Sequence, residues 1–124
     1  MTEKTLWGHF SKYIRLRDRI KGSEYCKCAT CPKSHHWKDM DAGHFISRRH
    51  KATKYNEKNV LAQCPYCNRF NQGKQYEMSF EVNRRFGTGT TDLLLAKSKQ
   101  AYKLHSFEIK ELGEYYRDKV KEMI

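Results

Sequence analysis

Apolar side chains recur at helical spacing near the start of the chain. Between Thr5 and Arg19 they follow the period of an amphipathic helix, and the basic residues lie mostly off the apolar stripe. The apolar positions are Leu6, Phe10, Tyr13 and Ile14. The pattern predicts a helix that packs one face against a core and exposes a basic face to solvent.

Helical spacing returns in the C-terminal part of the chain. Gln75 to Phe86 is predicted as one helix that stops at Gly87, and Thr90 or Thr91 is predicted to begin a second over the run DLLLAKSKQAY. Ser106 is the predicted N-cap of a last helix. The apolar stripe of that helix is Ile109, Leu112, Tyr116, Val120 and Met123.

The middle of the chain, from Gly22 to Gly73, has no helical period and is rich in cysteine, histidine and short polar runs. Apolar burial alone cannot hold such a segment together. With 124 residues in all, the length fits a single domain. We predict one α+β domain with an N-terminal helix (1–21), a metal-held core (22–74) and a helical region (75–124).

The charge balance points to a polyanionic partner. Lysine and arginine number 25 against 14 acidic residues, and the net charge is +11. DNA is the first expectation, because clustered positive charge binds phosphate backbones. A membrane surface would also attract this charge, but no apolar run approaches the roughly 20 residues of a membrane span, and the N-terminus lacks the apolar core of a signal peptide. We therefore expect a cytoplasmic protein.

Four of the five cysteines form two CxxC pairs. Cys28 with Cys31 and Cys64 with Cys67 can each bend around one side of a tetrahedral ion, and together they predict a closed structural Zn²⁺ site. A redox role would require a thioredoxin-like pattern, which neither pair has. The fifth, Cys26, is predicted to be a spare thiol beside the site. His35 and His36 are either additional ligands or exposed loop histidines.

Between the cysteine pairs lies MDAGHFISRRH, followed by EKNVLAQCPYCNRFNQGK. The order is CxxC, a histidine in a strand-like segment, an asparagine five residues before the next cysteine, and a second CxxC followed by another asparagine. This order resembles the HNH nucleases, also called ββα-metal or His-Me finger nucleases, over roughly residues 28–74. DAGHFISR, KNVLAQC and CNRFNQG are more specifically similar to the phage Rap/NinG family of recombination endonucleases.

The resemblance implies a separate role for each of three residues in this segment. His44 is in the place of the general base, and Asn59 matches the asparagine that fixes the loop carrying it. Asn68 follows Cys67 where the family places a ligand of the catalytic ion. An amide oxygen suits Mg²⁺ or Mn²⁺ better than Zn²⁺. The implied substrate is a branched recombination intermediate such as a Holliday junction or D-loop, in the host cytoplasm if the protein is phage-encoded.

One position departs from the HNH pattern. Many members carry an aspartate immediately before the base histidine, and here that residue is Gly43. Asp41 is the nearest carboxylate, and we predict it to be a ligand of the catalytic ion. Residues 41 and 44 point to opposite faces of a regular strand, so this assignment predicts a bulge or turn at Ala42 and Gly43. Otherwise His44 or His50 must help hold the ion.

Basic residues surround the motif and are predicted to contact DNA. Arg48, Arg49, Lys51 and Lys54 lie in the loop between strand and helix, together with Lys58. Arg69 and Lys74 follow the second cysteine pair. Four aromatic side chains could stack on unpaired bases or fill a small core: Trp37, Tyr55, Tyr66 and Phe70. Symmetric cutting of a junction would require two active sites, so the last helix either forms a homodimer or packs within one chain.

Two other functions fit the same residues. One is a zinc-ribbon module that binds DNA without catalysis, which loss of the second ion through Gly43 would favour. The other is a sequence-specific HNH nicking or restriction enzyme. Cleavage of plasmid in the presence of Mg²⁺ or Mn²⁺ separates the first from a nuclease, and dependence of the cuts on sequence or on branch position separates the second.

Overall fold

The computed structural model describes all residues from 1 to 124. It is a mixed α+β domain of five α-helices and two small antiparallel sheets. Helix α1 spans Glu3–Arg17, where Thr2 caps the first turn by accepting a hydrogen bond from the Thr5 amide at 3.1 Å. It begins two residues earlier than the apolar period predicts, because this polar cap and the acidic first turn lie ahead of the apolar stripe.

The first sheet pairs β1 (Tyr25–Lys27) with β2 (Ser34–His36). The second pairs β3 (Asp41–His44) with β4 (Val60–Gln63), in a register that runs from Asp41 opposite Gln63 to His44 opposite Val60. This pairing is continuous, so the bulge predicted at Ala42 and Gly43 is not formed. Asp41 and Gly43 therefore share one face of the sheet, and Ala42 and His44 share the other.

Short helical segments connect β3 to β4 and β4 to the C-terminal helices. Helix α2 spans Lys51–Lys54 between β3 and β4, and a π-helical turn, Tyr66–Phe70, follows the second cysteine pair. Helix α3 is Gln75–Phe86 and stops at Gly87 as predicted. Helix α4 is Thr90–Ser98 and α5 is Ser106–Met123.

Helix α1 also ends at Arg17, two residues before the predicted Arg19, and two boundaries of the C-terminal helices differ from the sequence prediction. The DLLLAKSKQAY run leaves the helix at Ser98 rather than continuing to Tyr102. The N-cap of α5 is His105, and Ser106 is the first helical residue. The backbone N–H of His105 donates to the Glu108 carboxylate at 3.4 Å, so the reciprocal glutamate contact sets this helix start.

The core lies on both faces of the β3–β4 sheet. On one face, α1 and α5 pack over Ala42 and Val60, with Phe10 and Tyr116 in edge-to-face contact. On the other face, Leu61 packs with residues of α3 and α4: Met78, Val82 and Leu94. The apolar stripe of α5 is thus used within the chain, where it lies against α1. None of the helices combines the length and the apolar character needed to cross a bilayer.

Candidate functional site

The two CxxC pairs meet in space. The Sγ atoms of Cys28, Cys31, Cys64 and Cys67 all lie within 4.8 Å of one another. A tetrahedral Zn²⁺ site with bonds of about 2.3 Å requires sulfur atoms about 3.8 Å apart, and Cys31 Sγ lies 3.7 Å from Cys64 Sγ. The Cys64 amide also donates to Cys28 Sγ at 3.2 Å. Four thiolate donors without an oxygen ligand suit Zn²⁺, so this cluster could hold a zinc ion.

The remaining metal-binding side chains of this region lie outside the cluster. Cys26 is fully buried, and its thiol donates to the Arg15 carbonyl at 3.1 Å. Burial raises the pKa of this thiol to about 11, so it stays protonated. His36 accepts a hydrogen bond from the Lys38 amide through Nδ1, and neither it nor His35 joins the sulfur cluster. Cys26 is thus a spare thiol in the interior.

His44 is at the end of β3 and is largely enclosed. Its Nε2 lies 3.0 Å from the Lys54 carbonyl oxygen, which can only accept, so Nε2 carries the hydrogen and Nδ1 keeps its lone pair. Nδ1 has no protein partner, and it is not among the completely buried atoms without one, so it keeps some contact with solvent. Burial lowers the pKa of His44 to about 4, which keeps the ring neutral.

The N-terminal helix holds this ring in place. Trp7 stacks on His44 with ring centroids 5.2 Å apart and planes 23° from parallel, and the Arg48 guanidinium lies 4.9 Å from the Trp7 centroid. Glu3, in the first turn of the same helix, accepts hydrogen bonds from Lys54 and Tyr55. The Lys54 hydrogen bond is the main cause that lowers the pKa of Glu3 to about 2. Helix α1 therefore fixes both the face of the imidazole and the segment that supplies its carbonyl partner.

Asn59 fixes the loop between β3 and α2. Its side chain is fully buried, accepts from the Ile46 amide at 2.8 Å, and donates to the carbonyls of Ile46 and Thr53 at 3.1 Å each. Three hydrogen bonds from one amide thus connect the residues on both sides of the loop that follows His44. This geometry matches the loop-fixing role that the resemblance implies, and it places Asn59 behind the histidine.

Asp41 and Asn68 are brought together at the start of β3. Asn68 Nδ2 donates to Asp41 Oδ2 at 3.0 Å, and Arg69 contacts both carboxylate oxygens at 2.9 Å. The π-helical turn carries Asn68 to Asp41, whereas His44 lies on the opposite face of β3, because the bulge that would bring residues 41 and 44 to one face is not formed. Asp41, His44 and His50 do not form a three-ligand group, since the four cysteines are the only group of three or more His, Cys, Asp or Glu side chains with ligand atoms this close.

Asp41 and Asn68 lie in a basic cleft of about 540 Å³. Four cations line it, two of them from segments outside the motif: Arg15 on α1 and Lys38 after β2, together with Arg48 and Arg69. Trp7, the ring that stacks on His44, is part of its wall. A cleft with one carboxylate and four cations is suited to an anionic ligand with several charges, such as a phosphodiester backbone.

The basic residues predicted to bind DNA have different environments. Arg48 and Arg49 are exposed, and Arg69 is exposed but paired with Asp41. Lys51 is exposed and pairs with Glu3 at 3.1 Å. Lys54 is buried with its ammonium on Glu3, so it is not presented to a DNA backbone, and its structural role is to hold the His44 partner segment. Lys74 is half-buried in a left-handed conformation (φ 45°).

Packing against Gln63 explains why position 43 is a glycine. A Cβ atom at this position would lie 2.0 Å from Gln63 Oε1, well inside contact distance. Gln63 is fully buried, and its Nε2 donates to Thr30 Oγ1 at 3.0 Å and to the Gly73 carbonyl at 2.7 Å. The side chain of Gln63 thus occupies the space beside Gly43 and connects the loop of the first cysteine pair to the turn after Phe70. An aspartate at position 43 has no room in this structure.

We predict that Gly43→Ala destabilises the fold by about 1–3 kcal/mol, because the added methyl group overpacks against a hydrogen-bonded, buried amide. Urea unfolding measures the change. Gly8→Ala is the control, since nothing lies within 4 Å of a Cβ at that helical position. Combining Gly43→Ala with Gln63→Ala should cost less than the sum of the single changes. Strictly additive costs would show that the two residues do not compete for this space.

Sequence reasoning did not find Trp7, Glu3, Arg15 or Lys38. Each lies outside the cysteine-rich segment, and its contact with the site depends on how α1 and the turn after β2 pack. The one signal for Trp7 was its place beside the apolar stripe of α1, where a large aromatic ring at the edge of a packing face must contact another element. The charges of the other three residues carry no such signal.

A zinc-compatible cysteine cluster, a two-stranded sheet and a basic cleft now define a small α+β domain with a candidate polyanion site. The family model described as the bacteriophage lambda NinG protein matches residues 2–124, and the chain belongs to this phage family. No curated protein and no solved structure matches the chain. The family match confirms the NinG part of the resemblance over almost the whole length.

Proposed function

We propose that this protein is an HNH-type endonuclease that hydrolyses DNA phosphodiester bonds with His44 as general base. The observation that carries the proposal is the state of that ring: neutral, fixed through Nε2, and with Nδ1 unpartnered and not completely buried. The order of β3, β4 and the Tyr66–Phe70 turn supports a ββα core, since two antiparallel strands are followed by a helical turn.

A general base must be unprotonated and aimed before the substrate arrives. His44 meets the first requirement through burial, and Trp7 and the Lys54 carbonyl restrict its orientation. Asn59 holds the loop behind it, so the ring cannot move away without breaking three hydrogen bonds. In the proposed reaction, Nδ1 takes a proton from the attacking water.

Asp41 and Asn68 are the residues that would hold the catalytic ion. Asn68 Nδ2 now donates to the Asp41 carboxylate at 3.0 Å, and a half-turn of the amide would present Oδ1 instead, giving a carboxylate and an amide oxygen that suit Mg²⁺ or Mn²⁺. A divalent ion there would stabilise charge on the scissile phosphate and on the leaving 3′ oxygen. Arg69 donates to the same carboxylate, and an ion bound there would release this guanidinium to bind a phosphate.

We propose that the basic cleft binds the DNA backbone with the scissile phosphate between Asp41 and Trp7, which both line it. Trp7 stacks on His44, so the water that His44 activates would approach the phosphate from the Trp7 side. Arg15 is held by the Ser11 and Trp37 carbonyls at 3.2 and 3.3 Å, and therefore presents its charge at little entropic cost. Arg48 lies on the Trp7 ring and connects the cleft to the His44 side. A branched recombination intermediate, in the cytoplasm of the phage host, is the substrate that the family membership supports.

DNA affinity should fall steeply with salt, because each neutralised phosphate releases condensed counterions. We expect log K against log salt to have a slope of several units, and Arg48→Ala to reduce it by about one unit. The measurement is fluorescence anisotropy without added divalent metal. Lys110→Ala, an exposed change on α5, is the matched control because no α5 residue lines the cleft. A flat salt response would remove the phosphate-binding role of the cleft.

Asp41→Ala should raise the Mg²⁺ or Mn²⁺ concentration for half-maximal cleavage by at least about tenfold, because it removes the only carboxylate in the cleft. DNA affinity should stay the same or rise, since Arg69 is freed. The control is Asp39→Ala, an exposed carboxylate two residues away that does not line the cleft. Asn68→Ala should act like Asp41→Ala, and the double variant should add little. A wild-type metal titration for Asp41→Ala would exclude it as a ligand.

A zinc-held DNA-binding module without catalysis is the second candidate. It is favoured by the Asp41–Arg69 pair, which satisfies the carboxylate without an ion, and by the lack of a second cluster of His, Cys, Asp or Glu ligands. This module would keep the zinc cluster and the basic cleft and would bind DNA with the same salt dependence. It would not cut DNA with any metal.

The deciding experiment is cleavage of matched linear duplex, flap and four-way junction substrates with Mg²⁺, Mn²⁺ or Zn²⁺ added separately. Cutting with Mg²⁺ or Mn²⁺ that is lost in His44→Ala supports the nuclease. Cuts that follow branch position support a structure-specific enzyme, whereas cuts that follow sequence at any position indicate a nicking or restriction enzyme. Tight binding without cutting under all conditions supports the binding module.

A further inference from the structure

Tyr66 and Phe70 are exposed on the turn that carries the candidate metal ligand. Their side chains are 58% and 75% exposed, and their ring centroids lie 6.2 Å apart. Other aromatic side chains near the site are covered, including Trp37, which is buried, and Tyr55, which contacts Glu3. An exposed pair of rings is costly in water and makes few contacts within the chain, so its contribution to folding is small.

The position of this pair is fixed by the zinc cluster. Cys67 lies inside the same five-residue turn, and Cys64 begins the loop that leads into it. Between the two rings, Asn68 and Arg69 reach the Asp41 carboxylate. The rings are therefore attached to the same turn as Asn68, which would help hold the catalytic ion. This places them close to the proposed position of the scissile phosphate.

Two cations lie near this pair of rings in space or in sequence. The Lys33 ammonium lies 5.7 Å from the centroid of Tyr66, and Arg69 separates the two aromatic residues in the chain. Rings that offer π-faces beside positive charges match a nucleic acid strand, whose bases stack on the rings while its phosphates contact the cations. In intact duplex the base faces are covered by neighbouring pairs, so this surface selects bases that are unpaired.

We propose that Tyr66 and Phe70 form a stacking site for an unpaired DNA base next to the cleaved bond. This inference rests on the proposed function for its position relative to the cut, but the binding itself can be tested without catalysis. It gives a physical reason for a preference for branched DNA, since flaps, junctions and D-loops offer unpaired bases and linear duplex does not.

The test compares the double variant Tyr66→Ala/Phe70→Ala with wild type, without added divalent metal. The probes are a short single strand carrying 2-aminopurine, a flap substrate and a blunt duplex. We expect about tenfold or greater weakening for the single strand and the flap, and less than about twofold for the duplex. The 2-aminopurine quenching seen on binding wild type should be lost. Zinc content and thermal unfolding verify that the turn is intact.

Two further variants make the test specific. Tyr76 and Phe80 on α3 are a matched pair, also exposed and in edge-to-face contact at 4.9 Å, and Tyr76→Ala/Phe80→Ala should leave single-strand binding unchanged. Tyr66→Leu/Phe70→Leu keeps apolar area without π-faces and should behave like the alanine variant. Normal binding by the leucine variant, or equal losses for duplex and single strand, would overturn the stacking site.

The outcomes also separate this inference from the nuclease proposal. If wild type binds the single strand through these rings but cuts nothing, the stacking site stands and the nuclease fails. If wild type cuts branched DNA and the alanine variant binds and cuts normally, the nuclease stands and the stacking site fails. A protein partner or a second copy of the chain on this surface would appear as a change in oligomeric state with unchanged DNA binding, and would also overturn it.

Discussion

His44→Ala should lower the cleavage rate by at least about 100-fold while leaving zinc content and DNA affinity within about twofold of wild type. General-base catalysis contributes about 10²–10⁴-fold to such reactions, and His44 is the neutral, fixed imidazole stacked on Trp7, which lines the cleft. It lies outside the cysteine cluster and is not one of the four cations that line the cleft. Single-turnover cleavage of a junction substrate is the measurement.

His44→Gln separates loss of the base from loss of packing. A glutamine amide can still donate to the Lys54 carbonyl and contact Trp7, but it cannot accept a proton at neutral pH. Both variants should therefore be equally inactive, and the glutamine variant should unfold closer to wild type. Cleavage within tenfold of wild type in either variant would remove His44 from the mechanism and make His50 the next residue to test.

The pH dependence follows from the lowered pKa of His44. Because burial holds that pKa near 4, the ring stays neutral down to well below its ordinary value of about 6.5, and we expect the acid limb of the rate profile to be displaced downward. The unfolded chain takes up this proton near pH 6.5, so stability from the neutral ring is present above that value and is lost as pH falls toward 4. His44→Gln should remove this part of the pH dependence of unfolding.

The elements that sequence alone predicts well are those set by local rules. Helix α3 ends at Gly87 because a glycine at positive φ (109°) terminates it, and the residue pattern shows both the helix and the stop. The cysteine cluster could also be predicted from the sequence, since two CxxC pairs in one domain are most simply joined by one ion. Asn68 is predicted through the resemblance and Asp41 as the nearest carboxylate; the structure puts them in contact, but the bulge on which the Asp41 assignment depended is absent.

The parts that could not be predicted depend on packing between distant segments. The sequence around Lys54 predicts one more surface cation in a basic loop. Lys54 is instead buried, because it bonds to Glu3, 51 residues away in the chain. Gly43 reads as the loss of an aspartate, whereas the structure shows that Gln63 occupies the space such a side chain would need. Neither fact follows from charge, period or spacing. The burial of Lys54 depends on how α1 packs, and the crowding at Gly43 depends on the register of β3 on β4.

Cys64→Ser should lower the zinc content from about one per chain toward zero and unfold the central segment. Cys64 is buried, its Sγ lies 3.7 Å from that of Cys31, and it accepts a hydrogen bond from the Cys67 amide at 3.5 Å. The strands around it have three or four residues each, which is too short to be stable without the cluster. Metal analysis and circular dichroism measure the two effects.

Cys26→Ser is the matched control for this prediction. Cys26 is also buried and close in sequence to the first cysteine pair, but its thiol donates to the Arg15 carbonyl and does not join the cluster. A serine hydroxyl can donate to the same carbonyl, so this variant should keep its zinc and its thermal transition. A normally folded, zinc-free Cys64→Ser protein would show that apolar packing alone holds the central segment. Loss of zinc in Cys26→Ser would instead make Cys26 a ligand in place of one of the four cysteines.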